Sequence, residues 1–133
     1  MNPHYEFVAE RAEHRCEYCH APERIFNFQF EVEHIRPRAL RGEDDLQNLA
    51  LACRACNLYK SIRIAGFDDV TQAEIRLFNP RQDDWADNFQ IDLETGKVIG
   101  VTPGGRVTVK QLQMNTPAQL MARLQWIQWK SFP

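Results

Sequence analysis

Apolar side chains occupy every second position from Phe26 to Val32 within the run IFNFQFEVEHI, and polar residues lie between them. A period of two is typical of a strand that buries one face. The run ends in the neighbouring pair Glu33 and His34, and Pro37 follows, which cannot donate to a strand ladder. The pattern therefore predicts a strand that ends at a carboxylate and an imidazole, two groups that could form part of a reactive site.

Periodic apolar positions also predict three helices. The first covers residues 3–15, and the second starts at about Arg54 and reaches Gly66 as its C-terminal cap. The last covers about residues 117–130, with Thr116 as its N-cap and a proline at its first position.

The remaining segments give weaker patterns. LQNLALAC is either a second strand or a buried connector. Thr71 and Glu74 match a capping box, but the chain soon reaches FNPRQDDW, so we expect residues 67–82 to be mostly irregular. FQIDLETGKVIGVT predicts two strands joined at residues 95–97. The PGG at residues 103–105 then predicts a turn into a third strand, RVTVKQL.

Length and composition fit one ordinary globular domain. A chain of 133 residues buries one core but is short for two, and its hydrophobic content of 44% is that of a water-soluble protein. No apolar run reaches the roughly 18 residues of a membrane span, and the N-terminus lacks a signal-peptide core. We therefore expect a cytoplasmic protein that does not enter membranes.

Charge restricts the kinds of partner. A net charge of −2 argues against binding nucleic acid through bulk electrostatics. Basic residues nevertheless follow the predicted strand and continue onto the second helix: Arg36, Arg38, Arg41, Lys60 and Arg63. A local surface that faces phosphates is compatible with this pattern.

Four cysteines form the pairs Cys16-x-x-Cys19 and Cys53-x-x-Cys56. Two such pairs, with no cysteine left over in a reducing compartment, predict a tetrahedral zinc site. Four thiolates leave no open position on the metal, so this zinc is predicted to be structural. The alternatives are a thioredoxin-like redox pair and buried free thiols. His20 adjoins the first pair and is expected at the surface instead of on the metal.

A second group of residues lies between the two halves of this site. Carboxylate and amide oxygens, as in Glu33, Asn48 and Asn57, suit Mg²⁺ or a similar divalent ion. A neighbouring neutral imidazole, His34, can take a proton from water. Together these groups predict hydrolysis of a phosphate ester.

The ordered pattern CxxC, EHIxP, NL and CxxCNxxK over residues 16–60 resembles the HNH endonuclease family in its four-cysteine form. The resemblance implies an α+β fold with a zinc-braced ββα-metal (His-Me finger) core over about residues 12–66. A C-terminal extension at residues 67–133, made of a β-hairpin, a strand and a helix, completes a single domain over residues 1–133.

The resemblance also implies a role for each matching residue. His34 is the general base, Glu33 and Asn57 bind the catalytic ion, Asn48 fixes the loop that orients the histidine, and Lys60 faces the substrate backbone. Relatives usually carry Asp or His at the position of Glu33 and often His at that of Asn57. The neutral oxygen of Asn57 favours Mg²⁺ or Mn²⁺ as the catalytic ion, with Ni²⁺ as a further option.

Adjacent residues of a regular strand point to opposite faces, so the strand is predicted to end, bend or bulge at Glu33 and His34.

Each candidate site residue also has an interpretation in which it has only a structural role. His34 then only ends a strand, Asn57 only fills a first helical turn, and Lys60 and Arg63 only solvate a helix face. Trp126 and Trp129 suit core or subunit packing better than base stacking.

The predicted function is therefore a metal-dependent DNA endonuclease that leaves 5′-phosphate and 3′-hydroxyl ends. The alternative is a catalytically inactive zinc-binding module that interacts with nucleic acid or protein. DNA is the predicted partner, and the sequence leaves the oligomeric state open.

Overall fold

The computed structural model describes residues 2–133. Five α-helices are α1 (Tyr5–Arg11), α2 (Arg54–Lys60), α3 (Trp85–Asn88), α4 (Pro103–Gln111) and α5 (Pro117–Gln128). Six short strands are β1 (Glu31–His34), β2 (Leu49–Ala52), β3 (Ala65–Asp68), β4 (Ala73–Arg76), β5 (Phe89–Ile91) and β6 (Val98–Gly100). They pair in sequence order as three antiparallel two-stranded sheets.

The first sheet joins β1 to β2, with Glu33 opposite Ala50 and His34 opposite Leu49. LQNLALAC contains a strand, because Leu49–Ala52 pair with β1, and every residue of this strand is buried. β1 is shorter than the alternating pattern predicts, because the chain before Glu31 leaves the ladder and Phe28 is 50% exposed. The ladder is regular through Glu33 and ends at His34, without a bulge inside it.

The first two helices are also shorter than predicted. α1 covers only the middle of residues 3–15. α2 ends at Lys60 because the next residue, Ser61, has a positive φ of 51°, which a helix cannot continue through. Gly66 is not a helix cap but pairs with Ile75 in the second sheet.

The segment predicted to be irregular, residues 67–82, contains most of the second hairpin, which begins at Ala65. The Thr71 hydroxyl donates to the Asp68 carboxylate at 2.7 Å within the turn, so it does not begin a helix. Arg106 of α4 forms an ion pair with the same carboxylate at 2.9 Å. A distant helix therefore fixes this hairpin, which local sequence did not reveal.

The predicted third strand is wrong, because residues 103–111 form helix α4. Thr102 caps it, with its hydroxyl accepting from the Gly105 amide at 2.9 Å, and Pro103 begins it. A Cβ at Gly105 would lie 2.2 Å from the carbonyl oxygen of Asn88. Gly105 therefore allows a close helix approach and does not form a turn. The predicted β5–β6 hairpin and the Thr116 cap of α5 are present.

One hydrophobic cluster includes the four cysteines, β2 and side chains of the C-terminal extension. Trp126 of α5 is buried in it, whereas Trp129 is 60% exposed. Trp85 donates from its indole nitrogen to the Tyr18 carbonyl at 2.8 Å. Within residues 2–133, none of the helices has the length and apolar character needed to cross a membrane.

Candidate metal centre and active site

The four cysteine sulfurs converge in the interior. All four residues are buried, and their four Sγ atoms lie within 4.8 Å of one another. The Sγ atoms of Cys19 and Cys53 are 3.7 Å apart. A tetrahedron with Zn–S bonds of about 2.3 Å has edges of about 3.8 Å, so this separation fits zinc. The prediction that these four cysteines come together in a group able to bind a metal ion is confirmed.

Main-chain amides orient the sulfurs. The Cys19 amide points to Cys16 Sγ at 3.5 Å, and the Cys56 amide points to Cys53 Sγ at 3.4 Å, which also caps α2. Contacts with the other three sulfurs, and then burial, raise the pKa of the Cys56 thiol well above its ordinary value. A divalent cation opposes this effect, because it stabilises thiolates.

His20 is not among the residues of this cluster, but it is only partly exposed. Its ring stacks on Trp85 with centroids 3.9 Å apart. Burial, and then the positive charge of Arg15, lower the pKa of His20 to about 4. The expectation of an ordinary surface histidine is therefore corrected to a neutral ring packed beside the metal centre.

His34 lies at the end of β1 with 18% of its side chain exposed. Its Nε2 contacts Asp44 Oδ1 at 2.6 Å, and Arg38 donates to the same oxygen at 2.8 Å. Asp44 has a pKa below its usual range, because it is hydrogen-bonded first to His34 and then to Arg38. An ionised carboxylate therefore fixes one nitrogen of the imidazole.

Asn48 binds the loop that joins β1 to β2. Its Oδ1 accepts from the Arg36 amide at 2.8 Å, and its Nδ2 donates to the carbonyls of Arg36 at 3.0 Å and Glu43 at 2.8 Å. A Cβ at Gly42 would lie only 1.6 Å from the Arg36 carbonyl oxygen. The loop thus closes tightly on itself, and Asn48 connects its two sides.

Glu33 is 4% exposed and Lys60 is 1% exposed, and they form an ion pair at 2.9 Å. The hydroxyl of Tyr18 donates to the other carboxylate oxygen of Glu33. Burial raises the pKa of Glu33, while Lys60 and then Tyr18 oppose that rise. The predicted role of Lys60 at the substrate surface is contradicted, since its ammonium points inward.

Glu33 and Asn57, the two predicted ligands of the catalytic ion, share no hydrogen bond within residues 2–133. Asn57 instead donates from Nδ2 to the carboxylate of Glu31. Glu33 does not fit a divalent ion in this arrangement, because a buried ammonium already occupies one of its oxygens. Glu31 and Asn57 do place a carboxylate and an amide side by side, which is a suitable donor set.

The arginines of the predicted phosphate-facing surface are all exposed: Arg36, Arg38, Arg41 and Arg63. Arg36 donates to the Leu40 carbonyl at 2.7 Å, and Arg38 is paired with Asp44. Beside Arg36 and Asn48, a cleft of about 550 Å³ extends to Arg76 and Gln82.

The protein is thus a mixed α/β protein with short antiparallel strand pairs and a buried four-cysteine centre that can bind a metal ion. Residues 16–63 match the family model described as HNH endonuclease. This segment contains the four cysteines, β1, β2 and α2. The resemblance inferred from the sequence motifs is confirmed for this segment. No curated protein and no solved structure matches the chain significantly.

Three residues of the site were missed by sequence reasoning. Asp44 contacts His34, Glu31 contacts Asn57, and Tyr18 donates to Glu33. The period of two placed Glu31 and Glu33 on one face, which could have identified Glu31 as a second carboxylate directed at α2. The contacts of Asp44 and Tyr18 depend on the folded loop and have no local sequence pattern.

Proposed function

We propose that this protein is a metal-dependent endonuclease that hydrolyses phosphodiester bonds of DNA, with His34 as general base. The observation that carries the proposal is the placement of His34. It is the last residue of β1, in the HNH-matching segment, and Asp44 contacts one ring nitrogen at 2.6 Å. The order of β1, β2 and α2 around the cysteine centre supports the ββα-metal core implied by the resemblance.

The chemistry assigned to His34 follows from this contact. With Nε2–H donated to the Asp44 carboxylate, Nδ1 carries the free electron pair that takes a proton from water. The water oxygen then forms a bond to phosphorus, the bond from phosphorus to the 3′ oxygen breaks, and that oxygen leaves as a hydroxyl after protonation. A divalent ion, Mg²⁺ or Mn²⁺, held by a carboxylate of β1 and by Asn57, would stabilise the negative charge that develops in this reaction. These reaction steps give 5′-phosphate and 3′-hydroxyl ends.

The surroundings of His34 support a nucleic-acid substrate. Arg36 and Arg41 are exposed on the loop that follows the histidine, and Arg63 is exposed after α2. One guanidinium group can donate two parallel hydrogen bonds to two oxygens of a phosphate, so these side chains are suited to binding the DNA backbone. Lys60 is not assigned this role, because it is buried.

Plasmid cleavage tests the proposal. Zinc-loaded protein is incubated with supercoiled plasmid and Mg²⁺, Mn²⁺ or Ni²⁺, and nicked and linear products are quantified. His34→Ala is expected to lower the cleavage rate by about 100- to 10,000-fold, the usual effect of losing a general base. His4→Ala is the matched control, since His4 lies at the start of α1. Equal rates for the wild type and His34→Ala would overturn the assignment.

A catalytically inactive zinc module that binds nucleic acid or protein is the second candidate. The burial of Glu33 and its pairing with Lys60 favour it, because they remove the predicted metal ligand from the surface. Retained plasmid binding in a gel-shift assay, together with no cleavage under any of the three ions, would support this candidate over the enzyme.

A further inference from the structure

The two carboxylates of β1 that face α2 have different surroundings. Glu31 and Glu33 are two residues apart and therefore project on one side of the strand. Glu31 keeps 37% of its side chain exposed, whereas Glu33 is 4% exposed. Asn57 contacts Glu31, and Lys60, one turn further along the helix, contacts Glu33. Each carboxylate thus meets a different side chain of α2.

The ammonium of Lys60 is fully used in the interior. It lies 2.9 Å from a Glu33 carboxylate oxygen, 3.3 Å from the His34 carbonyl and 2.9 Å from the Ile35 carbonyl. An ammonium has three hydrogens to donate, so these three acceptors satisfy it. Tyr18 donates to the second oxygen of Glu33. A second cation on this carboxylate would lie beside the ammonium in a buried region, where like charges repel strongly.

Glu31 is in the opposite situation. Its carboxylate is partly exposed, and its contacts are with the neutral amide of Asn57 and, at 3.4 Å, with the exposed Arg54. A guanidinium at an exposed position is held weakly and can move away from an arriving ion. The carboxylate of Glu31 and the amide oxygen of Asn57, after rotation of the amide, present two hard donors to one point.

We propose that Glu31, in place of Glu33, is the carboxylate that binds the divalent ion together with Asn57, and that Glu33 is a positioning residue. Glu33 holds Lys60 against the carbonyls of His34 and Ile35, at the point where the β1 ladder ends. This division rests on the proposed nuclease function for the role of the ion and of His34. The contact between Glu33 and Lys60 is observed in the structure and does not depend on the proposed function.

Binding of Mn²⁺ to zinc-loaded full-length protein, measured by calorimetry and by the free Mn²⁺ electron paramagnetic resonance signal, tests the ligand. Glu31→Gln is expected to weaken binding by at least about tenfold, the loss that even an outer-shell change can cause. Glu94→Gln, at an exposed turn, is the matched control and should bind like the wild type. The decisive variant is Glu33→Gln combined with Lys60→Met, which removes both buried charges and should keep the wild-type affinity.

The proposal is overturned if the double variant loses Mn²⁺ while Glu31→Gln retains it, because Glu33 is then the ligand. It is also overturned if the wild type binds no Mn²⁺ beyond the cysteine centre. Both results are independent of DNA cleavage. A protein that binds Mn²⁺ through Glu31 but cuts no DNA would refute the proposed function and leave the ligand assignment intact.

Thermal melting together with steady-state cleavage tests the positioning role. Glu33→Gln alone leaves a buried ammonium without its counter-charge and is expected to lower Tm by more than about 5 °C. The double variant should recover most of this loss. Its kcat should nevertheless stay low, with KM near the wild-type value, because no ammonium binds the His34 and Ile35 carbonyls. Recovery of kcat together with Tm would show a purely structural pair and overturn the positioning role.

Discussion

At the scale of single residues, His34 depends on side chains that lie outside β1. Asp44 contacts its ring, and Asn48 makes three hydrogen bonds with the loop that carries Asp44. Lys60 binds its carbonyl from the other side. The histidine is thus fixed through both its side chain and its main chain, as a positioned base requires.

Replacing Asn48 by Ala is expected to loosen this loop. Three hydrogen bonds at about 1 kcal/mol each predict a loss of about 2–3 kcal/mol in the free energy of unfolding, measured by urea denaturation. Cleavage should fall as well, because Asp44 no longer stays against His34. Gln47→Ala, at the adjacent exposed position, is the control and should change neither quantity. Unchanged stability in Asn48→Ala would contradict the role of this side chain.

Tyr5 gives a prediction for alkaline pH. Its hydroxyl donates to Glu23 at 2.8 Å, and burial, followed by this bond, raises the pKa of Tyr5 from 10.0 to about 12. The folded state therefore favours the neutral phenol. Its contribution to stability is complete below pH 10 and is lost as the pH rises through about 12.

Urea denaturation of the wild type and Tyr5→Phe at neutral pH and above about pH 11 tests this. The difference in unfolding free energy between the two proteins should shrink as the pH rises. A difference that stays constant would contradict the assignment.

At the scale of elements, two helices begin with the same local sequence. Thr102-Pro103 starts α4 and Thr116-Pro117 starts α5, and each threonine hydroxyl accepts from a main-chain amide. Only the second start was predicted. The β-branched residues of RVTVKQL favour a strand, and Gly105 was interpreted as part of a turn. Packing against Asn88 decided the outcome, because only a glycine permits that approach.

Thr108 connects α4 to the segment before α3. It is fully buried, accepts from the Phe78 amide at 2.8 Å and donates to the Gly104 carbonyl at 2.7 Å. Thr108→Val keeps the shape but leaves the Phe78 amide unpaired, at an expected cost of about 1–3 kcal/mol. Thr108→Ser keeps the hydroxyl and should cost only about 1 kcal/mol for the lost methyl group. Chemical denaturation compares the two, and a larger loss in the serine variant would contradict this account.

At the scale of the whole molecule, the metal centre and the C-terminal extension share one core. Arg123 of α5 is fully buried and donates to the carbonyls of Gly96 and Met114, each at 2.8 Å. Burial lowers the pKa of Arg123, and the four cysteines oppose that shift. The extension therefore places a buried guanidinium near enough to the four cysteines to interact with them electrostatically.

Removal of zinc is expected to unfold much of the protein, because metal binding at such a centre contributes directly to folding. Cys53→Ser, or a strong zinc chelator, should lower Tm sharply and reduce the far-ultraviolet circular dichroism. Adding Zn²⁺ back should restore both in the chelated wild type, whereas Mg²⁺ should not. Less than one tightly bound zinc per chain, measured by mass spectrometry, would refute the site.

The sequence by itself determined the features that depend on spacing. The two CxxC pairs predicted the metal centre, and the ordered motifs predicted the family match, because a thiolate knuckle and a strand-to-helix signature are local chemical patterns. The β5–β6 turn and the Thr116 cap were predictable for the same reason. Each of these is marked by residue types at short, fixed spacings within a motif.

Only the tertiary structure decided which charges meet. The motif assigned Glu33 to a metal and Lys60 to the substrate, yet the fold buries both and pairs them across β1 and α2. It also brings Glu31 to Asn57 and Asp44 to His34. For Glu33 and Lys60 the reason is desolvation, because a buried charge requires an opposite charge within reach. For all three contacts, the distance between the side chains is set by tertiary packing and not by sequence spacing.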